Sequence, residues 1–402
     1  MAPTRKDIPH VAILIETSRS YGRGLLRGVR RYLTLHGPWS VFVELRSLES
    51  APPNWIRNWR GDGILTRTGS QQMADMIRDV NVPTVELRST RLQHNFPFVG
   101  ADNVLLGRMM AEHLLERGFT QFAIYDLDTE EFFKQRCDSF IQTITESGYP
   151  VKIHRAGGQR ELPTDWESHQ ESLAEWLLQL SKPVGVMACT DQLGFWMLDA
   201  CRRAGIAVPE EVAVVGVEND ETLCEVSIPP MSSMRLDGEK AGYDAATLLQ
   251  NLMDGAAPPA DSILIPPLGI VVRQSSDILA IADQDLAAAL RIIRQHACDG
   301  ITIHDVLKKV PISRSSLERK FRQLLGRSPQ AEIMRFRLAR VQQLLRETDW
   351  TLETIAYRTG FASVQVLCER FRKFHNCTPG TYRQQHRSES SVDSRFAPRI
   401  DE

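Results

Sequence analysis

The side chains best suited to chemistry in this sequence form two sets near its C-terminus. Arg314, Ser315, Glu318, Arg319 and Arg322 make the first; fifty residues on, Val364, Gln365, Cys368, Glu369, Arg372 and Lys373 stand in matching places. Arg pairs with guanine, Gln with adenine, Glu accepts from a cytosine amine and Val meets a thymine methyl, so such sets can read base edges. Arg322, Arg372, Lys373 and Arg383 suit phosphate oxygens, which fix register rather than sequence. Cys368 and Glu369 add little DNA affinity, so the second set is expected to read more weakly.

Two helix-turn-helix units would hold these sets. In Thr351–Arg383, Thr351 suits an N-cap, Leu352, Ile355 and Ala356 repeat at helical spacing, and Gly360 suits the left-handed residue that ends a helix. Ser363 caps a second helix with an apolar face of Leu367, Phe371 and Phe374, and Thr378-Pro379 opens a third with Pro in its first position. The pattern occurs earlier too: Ile312-Ser313, Leu317, Phe321-Arg322 and Ser328-Pro329 stand in register with Ala362-Ser363, Leu367, Phe371-Arg372 and Thr378-Pro379, and Gly326 matches Asn376. An amphipathic helix over Met334–Thr348, with Leu338, Val341, Leu344 and Leu345 inward, joins the two. A helix pair with a basic second member lays that member in a DNA major groove, and two such readers reach successive grooves about 34 Å apart.

Over residues 285–387 the pattern resembles the DNA-binding domain of the AraC/XylS family of transcription regulators. Charge agrees with that resemblance: residues 301–387 carry 17 basic and 7 acidic side chains, whereas the chain as a whole has a net charge of −2. The expected partner is double-stranded promoter DNA, with RNA polymerase as a further one.

Catalysis is the rival reading. Cys189 stands between a strand and a helix as a nucleophile would, but Met187–Asp191 lacks the glycines of a nucleophile elbow. There is no dinucleotide fingerprint, phosphate loop or zinc-protease motif, so no enzyme activity is expected. Seven scattered cysteines without a CxxC pair point to neither a zinc site nor a disulfide framework; no metal and no cofactor is expected. With no signal-peptide pattern and no apolar run long enough for a membrane, the expected compartment is the cytoplasm. The same absence of a signal peptide disfavours an exported solute receptor.

The first 280 residues alternate strand and helix. Strands are expected at His10–Ile15, Val41–Leu45, Gly63–Leu65 and Pro83–Leu87, then again at Phe122–Tyr125, Val151–His154, Val184–Ala188 and Val212–Val217, with one final strand over Ile263–Val272. Two such runs in succession imply two doubly wound α/β lobes closing on a ligand at the carboxyl ends of their strands. The phrases VGADNVLLG (Val99–Gly107), KQRCDSF (Lys134–Phe140), ACTD (Ala188–Asp191), VVGVEND (Val214–Asp220) and PLGIVVRQSS (Pro267–Ser276) resemble the sensor core of LacI-type repressors and periplasmic sugar-binding proteins. The fold class is therefore a two-lobed periplasmic-binding-protein-like α/β domain followed by an all-α domain with two helix-turn-helix units. The expected boundaries are a sensor and dimerisation domain at 1–275, a linker at 276–284, the DNA-binding domain at 285–387 and a disordered tail at 388–402.

That resemblance implies a monosaccharide effector, D-xylose first, and a homodimer. A sugar presents hydroxyls and apolar ring faces, so its site needs carboxylates, amides, Arg and an aromatic wall. By strand-end position the polar partners are Arg136, Asp191, Glu218, Asn219 and Asp220; Tyr21 is the first aromatic candidate and Trp196 the second. Asp102 reads as a helix cap rather than a contact. This chain carries Glu218 where the family usually has Asp. The expected function is a sugar-gated transcription activator, with a ligand-gated repressor for another sugar as the alternative.

Overall fold

In the computed structural model, residues 8–44, 46–47, 50–127, 129–155, 165–278 and 283–390 are described. The chain divides into two compact units, Met1–Ala280 and Ile281–Glu402.

The first lobe of the N-terminal unit holds β1 (His10–Leu14), α1 (Ser20–His36), β2 (Ser40–Val43), β3 (Gly63–Thr66), α2 (Gln71–Val80), β4 (Thr84–Glu86) and β5 (Val99–Ala101). Strands β2-β1-β3-β4 form a parallel sheet in that order. Val11 to Leu14 are buried, the unbroken apolar run of a strand covered on both faces. At the sheet edge, β2 keeps Val41, Phe42 and Val43 exposed, and Leu45 of the expected strand lies outside the described residues.

The second lobe holds α3 (Asn103–Glu116), β6 (Phe122–Asp126), α4 (Glu131–Glu146), β7 (Val151–Arg155), α5 (Trp166–Gln179), β8 (Val184–Ala188), α6 (Asp191–Arg203), β9 (Val212–Glu218), α7 (Glu221–Val226) and β10 (Ser232–Arg235). The chain then returns to the first lobe as α8 (Gly238–Met253) and β11 (Ile263–Ile265), which pairs with β5, and ends in the second lobe as β12 (Gly269–Val271). Six strands in the order β12-β10-β9-β8-β6-β7 make its sheet, all parallel save β12 against β10.

The expected single strand over Ile263–Val272 is two strands in two sheets. Pro266 and Pro267 break the ladder because neither has an N–H to donate, and the chain changes lobe there. Helices α1 and α8 meet through glycines: a Cβ on Gly28 would stand 2.0 Å from the Glu239 carbonyl oxygen, and one on Gly242 would stand 2.0 Å from that of Leu25. Around this contact lies a core of Leu25, Val29, Ala241, Ala245 and Leu249.

Residues 276–278 belong to the sensor rather than to a linker. The Ser276 hydroxyl bonds His113 Nε2 at 3.0 Å, and its carbonyl accepts from Arg117 Nε at 2.8 Å. Of the remaining linker, 279–282 lie outside the described residues, and Asp283 already caps α9 (Gln284–His296), a helix the sequence reading does not single out.

The second unit continues with α10 (Ile303–Leu307), α11 (Arg314–Leu325), α12 (Pro329–Glu347), α13 (Leu352–Arg358), α14 (Val364–His375) and α15 (Pro379–Ser390). Ser313, Ser328, Thr351 and Ser363 accept the backbone N–H three residues on, as N-caps do. Gly326 (φ +65°) and Asn376 (φ +56°) end α11 and α14 in the left-handed conformation, so the two repeats share their stop as well as their start. Leu338, Val341, Leu345, Ile355, Leu367 and Phe371 form the second core. Phe374 is not part of it: it is exposed, one turn past the buried face. Helix α15 extends to Ser390 and takes in the first three residues of the expected tail, and 391–402 lie outside the described residues.

Candidate ligand cleft and nucleic-acid interface

The turn after β9 is strained. Glu218 and Asn219 have φ of +112° and +50°, a region that side chains with a Cβ avoid. Three neighbours hold it there. Asp191 accepts the Asp220 N–H at 2.6 Å, the Ser233 hydroxyl accepts the Asn219 N–H at 3.0 Å, and Arg273 Nη1 donates to Asn219 Oδ1 at 2.8 Å. Asp191 also accepts from the Ser233 hydroxyl. Burial raises the Asp191 carboxyl to about 8 from an ordinary 3.8. The cap of α6 is Thr190, which leaves the Asp191 side chain for this turn.

Residues of both lobes line an inner cavity of about 20 Å³, room for one water. Arg19, Tyr21, Arg67, Arg88 and Ser89 come from the first lobe; Asn103, Phe132, Arg136 and Glu218 come from the second. Arg136 is buried, donating from Nε to Asn103 Oδ1 at 2.9 Å and from Nη1 to the Cys189 carbonyl at 2.6 Å. Its guanidinium carbon sits 4.9 Å from the Phe132 ring centre, with that of Arg88 at 6.0 Å. Arg67 lies 5.3 Å over the Tyr21 ring and pairs with buried Glu16; burial lowers the Arg67 guanidinium to about 10. Behind it, Glu86 Oε1 accepts the N–H groups of Thr68, Leu87 and Arg88, while burial raises its carboxyl to about 7.

An outer cavity of about 420 Å³ shares Tyr21, Glu218 and Leu236 with the inner one and adds Arg23, Asn219, Asp220, Arg235 and Asp237. Ion pairs bridge the two lobes around both: Arg19–Glu218 and Arg23–Asp220 at 3.4 Å, Arg88–Glu130 at 2.6 Å and Arg91–Glu131 at 3.5 Å.

Of the residues nominated from sequence, Tyr21, Arg136 and Glu218 meet at the inner cavity, and Asn219 and Asp220 line the outer one. Asp191 and Trp196 line neither. Asp191 supports the strained turn from behind; Trp196 is packed edge-on against Trp166 and His169 at 5.6 Å. Asp102 caps α3 by accepting the Leu105 N–H at 2.8 Å. Arg67, Arg88, Asn103 and Phe132 line the inner cavity without having been nominated from sequence. Arg67 and Arg88 each follow the end of a first-lobe strand, the same signal that pointed to Asp191 and Glu218; Phe132 sits one turn before Arg136 on α4.

In the second unit, Leu317 and Phe321 face the core, and Arg314, Ser315, Arg319 and Arg322 are exposed on α11. Arg314 Nε holds Glu318 Oε1 at 3.2 Å. On α14, Gln365, Glu369, Arg372 and Lys373 are exposed, but Val364 and Cys368 turn part of their surface to the core. Val366 is exposed in their stead. Arg383, expected on phosphate, donates from Nη2 to the Trp350 carbonyl at 2.7 Å and ties α15 to the loop before α13.

Comparison with known proteins follows the same division. Residues 10–104 match the model of a XylR N-terminal domain, 111–276 a periplasmic binding protein-like domain and 306–385 a helix-turn-helix domain. The xylose operon regulatory protein of Escherichia coli K12 is 31% identical over 381 residues, which cover 93% of this chain and 96% of that protein. That of Haemophilus influenzae is 29% identical, covering 93% and 97%. A solved structure of a xylose-binding transcription activator, xylR, superposes with a TM-score of 0.80 at 30% identity, covering 95% of this chain and 99% of the other. This chain belongs to the family of xylose operon regulatory proteins, transcription regulators that join a periplasmic-binding-protein-like sensor to an AraC-type helix-turn-helix domain.

Proposed function

We propose that this protein is a cytoplasmic, homodimeric transcription activator gated by a monosaccharide, D-xylose, bound at the inner cavity. One observation carries the reading: Tyr21 and Arg88 from one lobe converge with Phe132, Arg136 and Glu218 from the other, so a single small ligand touches both. Phe132 offers an apolar ring face; Arg136, Glu218 and Asn103 offer donors and acceptors for hydroxyls. A pentose is larger than the inner cavity, so the site must open further to admit one, and in this reading the two lobes shift against each other to do so. A ligand shifts that equilibrium only through its preference for one arrangement. The relatives named as xylose operon regulators and as a xylose-binding activator support xylose and activation.

The DNA partner is read by α11 and α14, with Arg314, Ser315, Glu318, Arg319 and Gln365 on base edges and Arg322, Arg372 and Lys373 on phosphates. The dimer and contact with RNA polymerase rest on the family alone. Thermal-shift screening of the purified protein against pentoses and hexoses tests the effector. At a hundredfold excess over Kd, D-xylose should raise the Tm of the sensor by about 5 °C or more. A shift with another sugar alone would reassign the effector, and no shift with any would overturn the reading. A promoter fusion that falls rather than rises with the sugar would make the protein a repressor.

A further inference from the structure

Behind the cleft, three donor groups that the sugar reading does not use come together in the second lobe. Asp126 ends β6, Cys137 is on α4 next to Arg136, and Cys189 follows β8. All three are buried, and a carboxylate oxygen of Asp126 and the two sulfurs lie within 4.8 Å of one another. The sulfurs are 3.4 Å apart. Two thiolates on one tetrahedral zinc, each at about 2.3 Å, stand about 3.8 Å apart, so a small outward shift would admit an ion.

An ordinary core contact between two thiols would account for the sulfurs but not for the carboxylate. Asp126 is only 2% exposed, and its Oδ1 has no hydrogen-bond partner among the described residues. A buried acceptor left in this way calls for a water or an ion.

We infer that Asp126, Cys137 and Cys189 bind one thiophilic divalent cation of the zinc class, with a fourth position left for water. Two sulfurs and one oxygen suit zinc or cadmium and not the all-oxygen preference of magnesium or calcium. On binding, each thiol gives its proton to solvent and its sulfur lone pair to the ion. Three anionic donors around a dication leave one negative charge, which the neighbouring Arg136 guanidinium balances. Because Arg136 bonds the Cys189 carbonyl and lines the inner cavity, the ion would sit directly behind a wall of the cleft.

The test uses the full-length protein, stripped of metal, kept reduced with a phosphine and titrated with cadmium while the ultraviolet cadmium–thiolate band is followed. One equivalent should raise a two-thiolate band that is lost in Cys137→Ser and Cys189→Ser and kept in Cys201→Ser. In Asp126→Asn, affinity should fall at least about tenfold. To guard against misfolding of a serine variant, X-ray absorption of the zinc-loaded wild type gives a second measurement, expected to show two sulfur ligands with the rest oxygen or nitrogen. Absence of a band at one equivalent, its survival in Cys189→Ser, or a zinc shell without sulfur would each overturn the site. None of these results depends on which sugar binds.

Discussion

Asp191 accepts the Asp220 N–H at 2.6 Å, and through that bond a buried carboxyl fixes a turn that its own sequence disfavours. Glu218 therefore reaches the cleft from a backbone conformation that only its neighbours sustain. Asp191 itself lines neither cavity and acts on them only through this turn.

Replacing Asp191 with Ala should leave the Asp220 amide and the Ser233 hydroxyl without their acceptor and let the turn relax. Stability should fall by about 1–3 kcal/mol, and xylose affinity at least about tenfold. Calorimetric titration beside chemical denaturation checks both. If affinity holds while stability drops, the turn does not set the site.

Phe132 lines the inner cavity beside Arg88 and Arg136, whose guanidinium carbons lie 6.0 and 4.9 Å from its ring centre. Phe132→Ala should weaken xylose binding about tenfold or more, and Phe132→Tyr much less. Trp196→Phe, in a position that lines neither cavity, should leave affinity within about twofold.

Glu86 is raised to about 7 by burial, so between about pH 4.5 and 7 the folded unit keeps a proton that the unfolded chain has lost. Stability from this group must fall as pH rises through that window. Histidines act the other way below about 6.5, His113 foremost, since burial holds it down at about 3. The sign is thus read from a difference. Glu86→Gln, which keeps an oxygen for the three N–H groups, should gain Tm relative to the wild type between pH 5 and 8. Parallel Tm curves would refute the assignment.

Arg319 and Arg383 should separate reading from scaffolding. Arg319→Ala should cost specific DNA affinity about 1–3 kcal/mol and leave the sugar-induced shift in place. Arg383→Ala removes a bond to the Trp350 carbonyl, so it should destabilise the second helix-turn-helix by about 1 kcal/mol while hardly changing the salt dependence of binding. Mobility-shift titrations at several salt concentrations, with melting curves, distinguish the two.

Gly28→Ala should cost about 1–3 kcal/mol, or more, because its new methyl would meet the Glu239 carbonyl where α1 and α8 touch. Denaturant melts of the wild type and variant measure it.

Local signals made much of this architecture legible. Four Ser or Thr caps, the Gly326 and Asn376 stops and the repeated Leu-x3-Phe spacing all act within one turn of helix, so α11 to α14 could be read closely, whereas α9 and α10 before them were not. Strand-end position likewise pointed to Glu218, which meets Tyr21 of α1 and Arg136 of α4 at the inner cavity. What escaped depends on contacts distant in sequence. Pro266-Pro267 marks a change of lobe only once the partner strands are known, and Trp196 is claimed by Trp166 and His169 from another helix. Val364 and Cys368 lean inward against the core that α12 and α13 help to build. Arg67 and Arg88 carry the same strand-end signal as Asp191; only the pairing of lobes shows that theirs reaches the cleft.

The four arginine–carboxylate bridges across the sensor have a physical corollary. Arg23 and Arg91 are each more than two-fifths open to solvent, so dissolved ions compete for their partners, whereas the shielded Arg88–Glu130 clasp hardly feels them. Dissolved salt therefore loosens the two open bridges more than the shielded one, so the grip between the two lobes of the sensor weakens unevenly as ionic strength rises.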